Sequence, residues 1–263
     1  MTAPGSPGSL AVGLAGRTAL VTGASSGLGR RFARVLARSG ARVAVGARRG
    51  DRLADLVEEI ETEGGRALAV DLDVTDEAST QAAYDATARA FGPVDTVIAN
   101  AGMNVESLAI DMPVADLEAV FGVNVRGVFL TAREGARRMI AAGSRDDGRG
   151  RIVLISSIGA HTVLPGLTAY CASKAAVAMM GRSLAREWAN KGVNVNVICP
   201  GYIETEINRD WFSSDGGRRQ VGGFPRRRLM REDDLDAMAL YLCSDAARAV
   251  TGSVFTLDDG QSL

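Results

Sequence analysis

Histidine is nearly missing from this chain. Of 263 residues only His161 carries an imidazole, so neither a histidine-built metal centre nor a Ser-His-Asp triad has the material it needs. Cysteine is scarce too: Cys171, Cys199 and Cys243 are odd in number, widely spaced and without a CxxC pair. That pattern argues against a disulfide framework and fits small buried hydrophobes in a reduced compartment, hence a cytoplasmic location. No apolar run reaches the roughly eighteen residues expected of a transmembrane helix. The opening MTAPGSPGSLAVGLAG lacks a basic start and a proper apolar stretch, so it does not read as a signal peptide. The net charge of −1 provides no strong field to draw nucleic acid or an anionic membrane. The arginine cluster at 226–228 is short and flanked by acids, the pattern of a solvated face.

What the chain does have is a globular balance, 46% apolar and 23% charged residues, at a length that buries a sizeable core. Short apolar runs alternate with longer helical patterns. The strand-like runs are TALVTG (18–23), RVAVGA (42–47), ALAVDL (67–72), DTVIAN (95–100), RIVLIS (151–156), NVNVIC (194–199) and SVFTL (253–257). Near-continuous apolarity is what strands covered on both faces require. Helical patterns occupy 27–39, 51–63, 77–91, 114–142, 169–190 and 232–243, with Gly40, Gly64 and Gly192 where helices should stop. The rhythm predicts an α/β fold: a single doubly wound Rossmann-type domain over 15–263, its seven-stranded sheet mostly parallel, with helices on both faces. Residues 1–14, rich in Gly, Pro and Ser, are expected to form a flexible leader. The polar segment 142–151 reads as a surface turn. The Gly-rich segment 205–225 carries Trp211 and Phe212 beside the sheet edge where ligands bind, and is expected to act as a substrate lid.

Between the first strand and the first helix, TGASSGLG places Gly23, Gly27 and Gly29. Glycines there permit a tight turn and close backbone approach, while the helix N-terminus attracts a pyrophosphate. The spacing is looser than GxGxxG, so position adds what spacing alone does not supply. At the end of the second strand an Asp would accept from a ribose 2′-hydroxyl. This chain has Ala47 there, followed by Arg48 and Arg49. Guanidinium groups grip a phosphate through charge-assisted bonds, which favours NADP(H), with NAD(H) as the alternative.

With TGASSGLG, NAG at 100–102, Asn124 in VNVRG, Ser157, YCASK at 170–174 and PG at 200–201, the sequence resembles the short-chain dehydrogenase/reductase family. The motifs fall in order and at the family's spacing from about residue 15 to 263. The resemblance implies an oxidoreductase that moves a hydride between a nicotinamide cofactor and a ketone or secondary alcohol. It implies that Gly23, Ser25, Ser26, Gly27, Leu28 and Gly29 form the cofactor turn, and that Asp73 accepts from the adenine amino group beside Val74. Asn100, Ala101 and Gly102 would border the cofactor, and Pro200, Gly201, Ile203 and Thr205 would face the nicotinamide and its carboxamide. Asn124 matches the residue tied to a water and to the lysine. One departure stands near the C-terminus, where the family usually has Asp-Gly-Gly and this chain has Asp259 in the middle place. Aspartate tolerates the left-handed backbone region better than most residues, so a small local change is expected. Subunit contacts near this end are where it would matter.

Tyr170 and Lys174, four residues apart, share a helical face. Taken alone they could be the surface of an amphipathic helix; the accompanying Asn124, Ser157 and glycine turn give them a task. A phenol titrating near about 10 is a slow base at neutral pH. An ammonium at ~4 Å contributes ~4 kcal/mol at an effective dielectric of ~20, roughly three pKa units, partly offset by desolvation. The expected division makes Tyr170 the general acid/base, with Lys174 tuning it and binding the ribose. Ser157 polarises the carbonyl, and Asn124 holds a water.

Met103, Leu164, Leu167, Tyr202, Trp211 and Phe212 are expected to line a mainly apolar substrate pocket. His161 is placed at its mouth, where a rim or packing role competes with a substrate contact. Long helices over 114–142 and 169–190, the second rich in small residues, match those that pair in the family's oligomers, so a homotetramer or homodimer is expected. Two other functions compete: a nucleotide-sensing protein that keeps the fold without turnover, and an S-adenosylmethionine methyltransferase. A pure binder has no use for a tuned acid, and a methyltransferase has none for the Tyr and Lys pair.

Overall fold

The computed structural model describes residues 12–204 and 209–263. Most of the expected leader and all of Thr205 lie outside these residues. Leu14, the last residue of the expected leader, is buried in the core, and its N–H donates to the Ser39 carbonyl at 2.8 Å.

Seven strands form one wholly parallel sheet in the order β3-β2-β1-β4-β5-β6-β7. They are β1 (Thr18–Thr22), β2 (Arg42–Ala47), β3 (Arg66–Asp71), β4 (Thr96–Ala99), β5 (Gly150–Ile155), β6 (Val193–Pro200) and β7 (Val254–Leu257). Each apolar run of the sequence becomes a strand, within one or two residues at its ends. The side-chain period of two sends alternate residues to opposite cores. Val21, Val45, Ile98, Val153 and Ile198 pack on one face, while Leu20, Ala44, Val97, Leu154 and Val197 pack on the other. The first face is closed by α1 (Gly27–Arg38) and α2 (Gly50–Thr62), through Phe32, Leu36, Leu53, Leu56 and Ile60. Across the sheet, α3 (Glu77–Phe91) supplies Tyr84 to the second core.

The predicted helix 114–142 is interrupted. It divides into α4 (Val114–Phe121), a π-helical turn at Gly122–Gly127, and α5 (Val128–Ala141). Such a turn inserts one extra residue and re-aims the side chains within it. Glycine at Gly127 lets the backbone press on Val74, where an added Cβ would stand 2.7 Å from the valine Cγ2. The expected surface turn at 142–151 contains the single helical turn α6 (Ser144–Asp147). The predicted helix 169–190 is α7 (Thr168–Trp188), which ends through a 3₁₀ turn at Gly192, φ +73°. Within the expected lid lie two short helices, α8 (Arg209–Ser213) and α9 (Asp215–Gly223). The last helix, α10 (Asp236–Cys243), completes the first core with Ala239 and Leu242.

The strand order reverses between β1 and β4, so the crevice at their C-terminal ends is the topological switch point where open α/β sheets bind ligands. The opposite end of the sheet is tied by two buried arginines. Arg17 pairs with Asp245 and Asp95, and Arg151 donates to the carbonyls of Ser244 at 3.0 Å and Gly148 at 2.7 Å. Among the described residues, no helix is long and apolar enough to cross a membrane.

Candidate active site

The glycine turn sits at the switch point, between β1 and α1. Gly23 has φ +67°, and a Cβ there would stand 2.8 Å from the Ala101 Cα. Gly29 is tighter still: a Cβ would meet the Gly23 carbonyl oxygen at 2.3 Å. These contacts draw the first turn of α1, with Leu28 partly buried in it, against the loop that follows β4. Asn100 fastens the same junction by donating from Nδ2 to the Thr22 carbonyl at 3.1 Å, while the Thr22 hydroxyl accepts from the N–H groups of Asn100 and Ala101.

Arg48 and Arg49 divide the space beyond this turn. Arg49 reaches back to it, donating to the Ser25 hydroxyl at 2.8 and 3.1 Å and to the Ser26 hydroxyl at 2.9 Å. Ser25 and Ser26 therefore seat a guanidinium beside the N-terminus of α1. Arg48 is exposed and belongs to the other side, where its charge helps hold the Asp73 carboxyl low. The larger cause of that shift is the hydroxyl and N–H of Thr75, which donate to Asp73 at 2.7 and 2.9 Å. Val74 is buried against Gly127. The arrangement fits a dinucleotide: a cradle that side chains would fill, a helix N-terminus, and cations flanking the end of β2.

Four residues expected to carry chemistry meet beyond β4 and β5. Ser157 follows β5, and its oxygen accepts from the Gly159 N–H at 3.1 Å, starting a 3₁₀ turn over Ile158–Ala160. Tyr170 and Lys174 lie on α7, the ammonium 5.6 Å from the phenol ring centre. Burial pushes the Tyr170 phenol above its ordinary value, and a hydrogen bond with Ser157 pulls it back. Burial also brings Lys174 down to about 8. The direction at Tyr170 differs from the expected lowering: burial of the phenol is the largest cause, and Ser157 rather than Lys174 supplies the opposing pull.

Asn124, in the π-helical turn, is fully buried and held at three points. Its Oδ1 accepts from the Met103 N–H at 2.8 Å, and Nδ2 donates at 2.9 Å to both the Met103 carbonyl and the Ser173 hydroxyl. Ser173 in turn donates to the Tyr170 carbonyl at 2.7 Å. Asn124 Oδ1 and the Lys174 ammonium both approach the bare face of Gly102, 3.3 and 3.4 Å from where its Cβ would be. Ser173, Ser156 and Thr22 are the residues that sequence reasoning missed. Each is a hydroxyl inside a motif already singled out, but its partner is distant in the chain.

The proposed pocket residues separate into two groups. Tyr202 stacks on Phe224 with centres 5.4 Å apart and meets Phe212 edge to face at 5.8 Å. Leu164 is buried against Gly159, and Leu167 bridges to Ser107 at the start of α7. Met103 is half-buried and meets Asn124 through its backbone N–H and carbonyl. Trp211, by contrast, is 53% exposed, its indole donating to Gln220 at 2.8 Å. His161 is exposed and within electrostatic reach of Asp258. Pro200 ends β6, Gly201 donates to the Leu257 carbonyl, and Ile203 is buried and bridged to Met230.

A parallel sheet with this glycine turn and this serine, tyrosine and lysine defines a class of dehydrogenase. The short chain dehydrogenase family model matches residues 17–216, and the chain belongs to the short-chain dehydrogenase/reductase family. It is 33% identical over 252 residues to glucose 1-dehydrogenase 2 of Bacillus subtilis, covering 95% of this chain and 96% of that one. It is 35% identical over 252 residues to 3beta-hydroxysteroid dehydrogenase 1 of Eggerthella lenta, covering 95% of each. Among solved structures, gluconate 5-dehydrogenase from Burkholderia cenocepacia, in complex with NADP and tartrate, superposes with a TM-score of 0.89 at 32% identity, over 95% of this chain and 96% of that one. This chain is accordingly an oxidoreductase acting on secondary alcohols.

Proposed function

We propose that the enzyme interconverts a mainly apolar ketone and its secondary alcohol with NADP(H), using Tyr170 as general acid/base. The observation that carries this reading is the meeting of Ser157, Tyr170, Lys174 and Asn124 at the C-terminal edge of the sheet, beside the glycine turn. The bound nicotinamide supplies or accepts the hydride. Ser157, whose oxygen already accepts from Gly159, donates to the substrate oxygen, and the Tyr170 phenol delivers the proton in reduction and recovers it in oxidation. Lys174 keeps a cation beside the phenol and would bind the ribose, while Asn124 braces Tyr170 through Ser173 and the loop after β4 through Met103.

Arg48 and Arg49 support NADP(H), as does the NADP carried by a solved relative. Met103, Leu164, Leu167, Tyr202 and Phe212 support an apolar substrate, with segment 205–225 as the cover of that side. Leu117, Phe129 and Met179 are exposed on α4, α5 and α7, which supports a homotetramer. The three free cysteines support a cytoplasmic location. The test follows reduced nicotinamide absorbance with NADPH and NADH against cyclic ketones, steroid ketones and sugar-derived ketones. NADPH should be preferred, and the preference should collapse in Arg48→Ala. Equal rates with both cofactors refute the arginine argument, and turnover confined to sugars refutes the apolar pocket.

A further inference from the structure

The turn after β7 is fastened to the segment that follows β6 at several points. Gln261 grips the backbone of Tyr202 at two points: Oε1 accepts from its N–H, and Nε2 donates to its carbonyl at 3.2 Å. The same Nε2 donates to the Arg228 carbonyl at 3.4 Å. Close approach is possible because residue 201 is glycine; a Cβ there would stand 2.4 Å from Gln261 Oε1. Asp258 shapes the turn by accepting from the N–H groups of Gly260 at 3.0 Å and Ser262 at 2.8 Å.

Asp259 adds a second fastening. Its two carboxylate oxygens pair with Arg226 at 3.1 Å and Arg228 at 2.7 Å. Arg227, between those arginines, has φ +51°, and Asp259 has φ +54°. Among the described residues these are the only non-glycine positions with positive φ, and they occupy two turns joined to each other by ion pairs. Two left-handed side-chain residues thus sit in turns that ion pairs join, and the surrounding contacts help hold them there.

What these fastenings hold is Tyr202. Its ring carries Phe224 on one side and Phe212 on another, and its phenol bonds the Gln220 side chain that also receives the Trp211 indole. Its carbonyl accepts from Met230 as well as from Gln261. We propose that Gln261 and Asp259 are positioning residues for the substrate side of the site, fixing Tyr202 and, through it, the layer of Phe212 and Phe224. Neither residue touches the reacting atoms. The inference rests on the reading that the substrate lies against Tyr202.

Gln261→Ala and Asp259→Gly test it. Glycine suits the backbone at 259 and removes only the ion pairs, so this variant folds even where the alanine at 261 destabilises the turn. KM for the ketone should rise about tenfold in Gln261→Ala, with kcat and NADPH affinity within about twofold of the parent. The parent KM should rise with salt, which screens the partly exposed ion pairs, and Asp259→Gly should lose that dependence. Hydrogen exchange over residues 209–224 provides a readout without turnover and should accelerate in both variants. Unchanged exchange together with unchanged KM overturns the clamp. A parent that turns over no ketone overturns the substrate reading instead, and exchange then decides the clamp alone.

Discussion

The Lys174 ammonium on α7 donates to the carbonyl of Ile155, the last residue of β5, at 3.0 Å. The Ser156 hydroxyl returns the favour, donating to the Lys174 carbonyl at 2.7 Å. Strand and helix are thus stitched in both directions, one turn of helix from Tyr170. The stitch explains how a buried lysine is kept where it is: the ammonium has a fixed acceptor, and the backbone carrying it cannot rotate away.

Burial of that ammonium predicts a pH signature. Lys174 titrates near 8 in the folded enzyme and near 10.5 unfolded. Between those values the unfolded chain holds a proton that the folded chain has released, so stability rises with pH through this window. Below pH 8 the penalty is complete. Lys174→Met removes it, so denaturant titrations should show the parent gaining on the variant from pH 8 to 10. A constant difference between the two contradicts the burial argument.

Gly29→Ala should be more damaging than an exposed glycine replacement. Its Cβ would stand 2.3 Å from the Gly23 carbonyl oxygen and 2.5 Å from Asn100 Nδ2, and the first obstacle is backbone. Overpacking of this kind costs about 1–3 kcal/mol. Thermal unfolding should fall by several degrees, and NADPH affinity, by calorimetry, by about tenfold or more. Gly222→Ala, where nothing stands within 4 Å, is the control and should change neither.

Ser173→Ala strips the buried Asn124 of one hydrogen-bond acceptor and the Tyr170 carbonyl of a donor. Leaving such groups unpaired costs about 1–3 kcal/mol. If the network orients Tyr170, kcat should fall while KM holds; a loss of stability with full kcat would assign Ser173 to the fold alone.

Arg17→Ala tests the far end of the sheet. The guanidinium is 2% exposed and joins Asp95, Thr96, Arg149 and Asp245. Its removal should destabilise by about 3 kcal/mol in urea titrations while leaving NADPH affinity unchanged. An equal loss of affinity would show that the two ends of the sheet are coupled.

The strands and most helices were legible because burial on both faces leaves unbroken apolar runs such as TALVT and RVAVGA. The glycine turn and the Ser157, Tyr170 and Lys174 set stood out only together, through the resemblance that all the motifs carry in order; spacing alone left Tyr170 and Lys174 as an ordinary helix surface. The π-helical turn at Asn124 was not legible: Gly127, which closes it, packs against Val74, a contact across about fifty residues of chain. The balance of charges at Tyr170 was also misjudged: sequence supplies the neighbours, but burial decides which effect dominates. Gln261 carried no signal at all, because a glutamine near a chain end acquires its role only when Gly201 and Tyr202 come to meet it.

Transfer of one proton by the Tyr170 phenol is the step on which the whole account depends. Tyr170→Phe keeps the ring and removes the hydroxyl. The decisive measurement pairs its NADPH affinity with its single-turnover rate on a ketone that the parent reduces. Affinity within about threefold of the parent and a rate lower by about 10²–10⁴-fold are predicted. A variant that binds NADPH and reduces the ketone at the parent's rate contradicts the account.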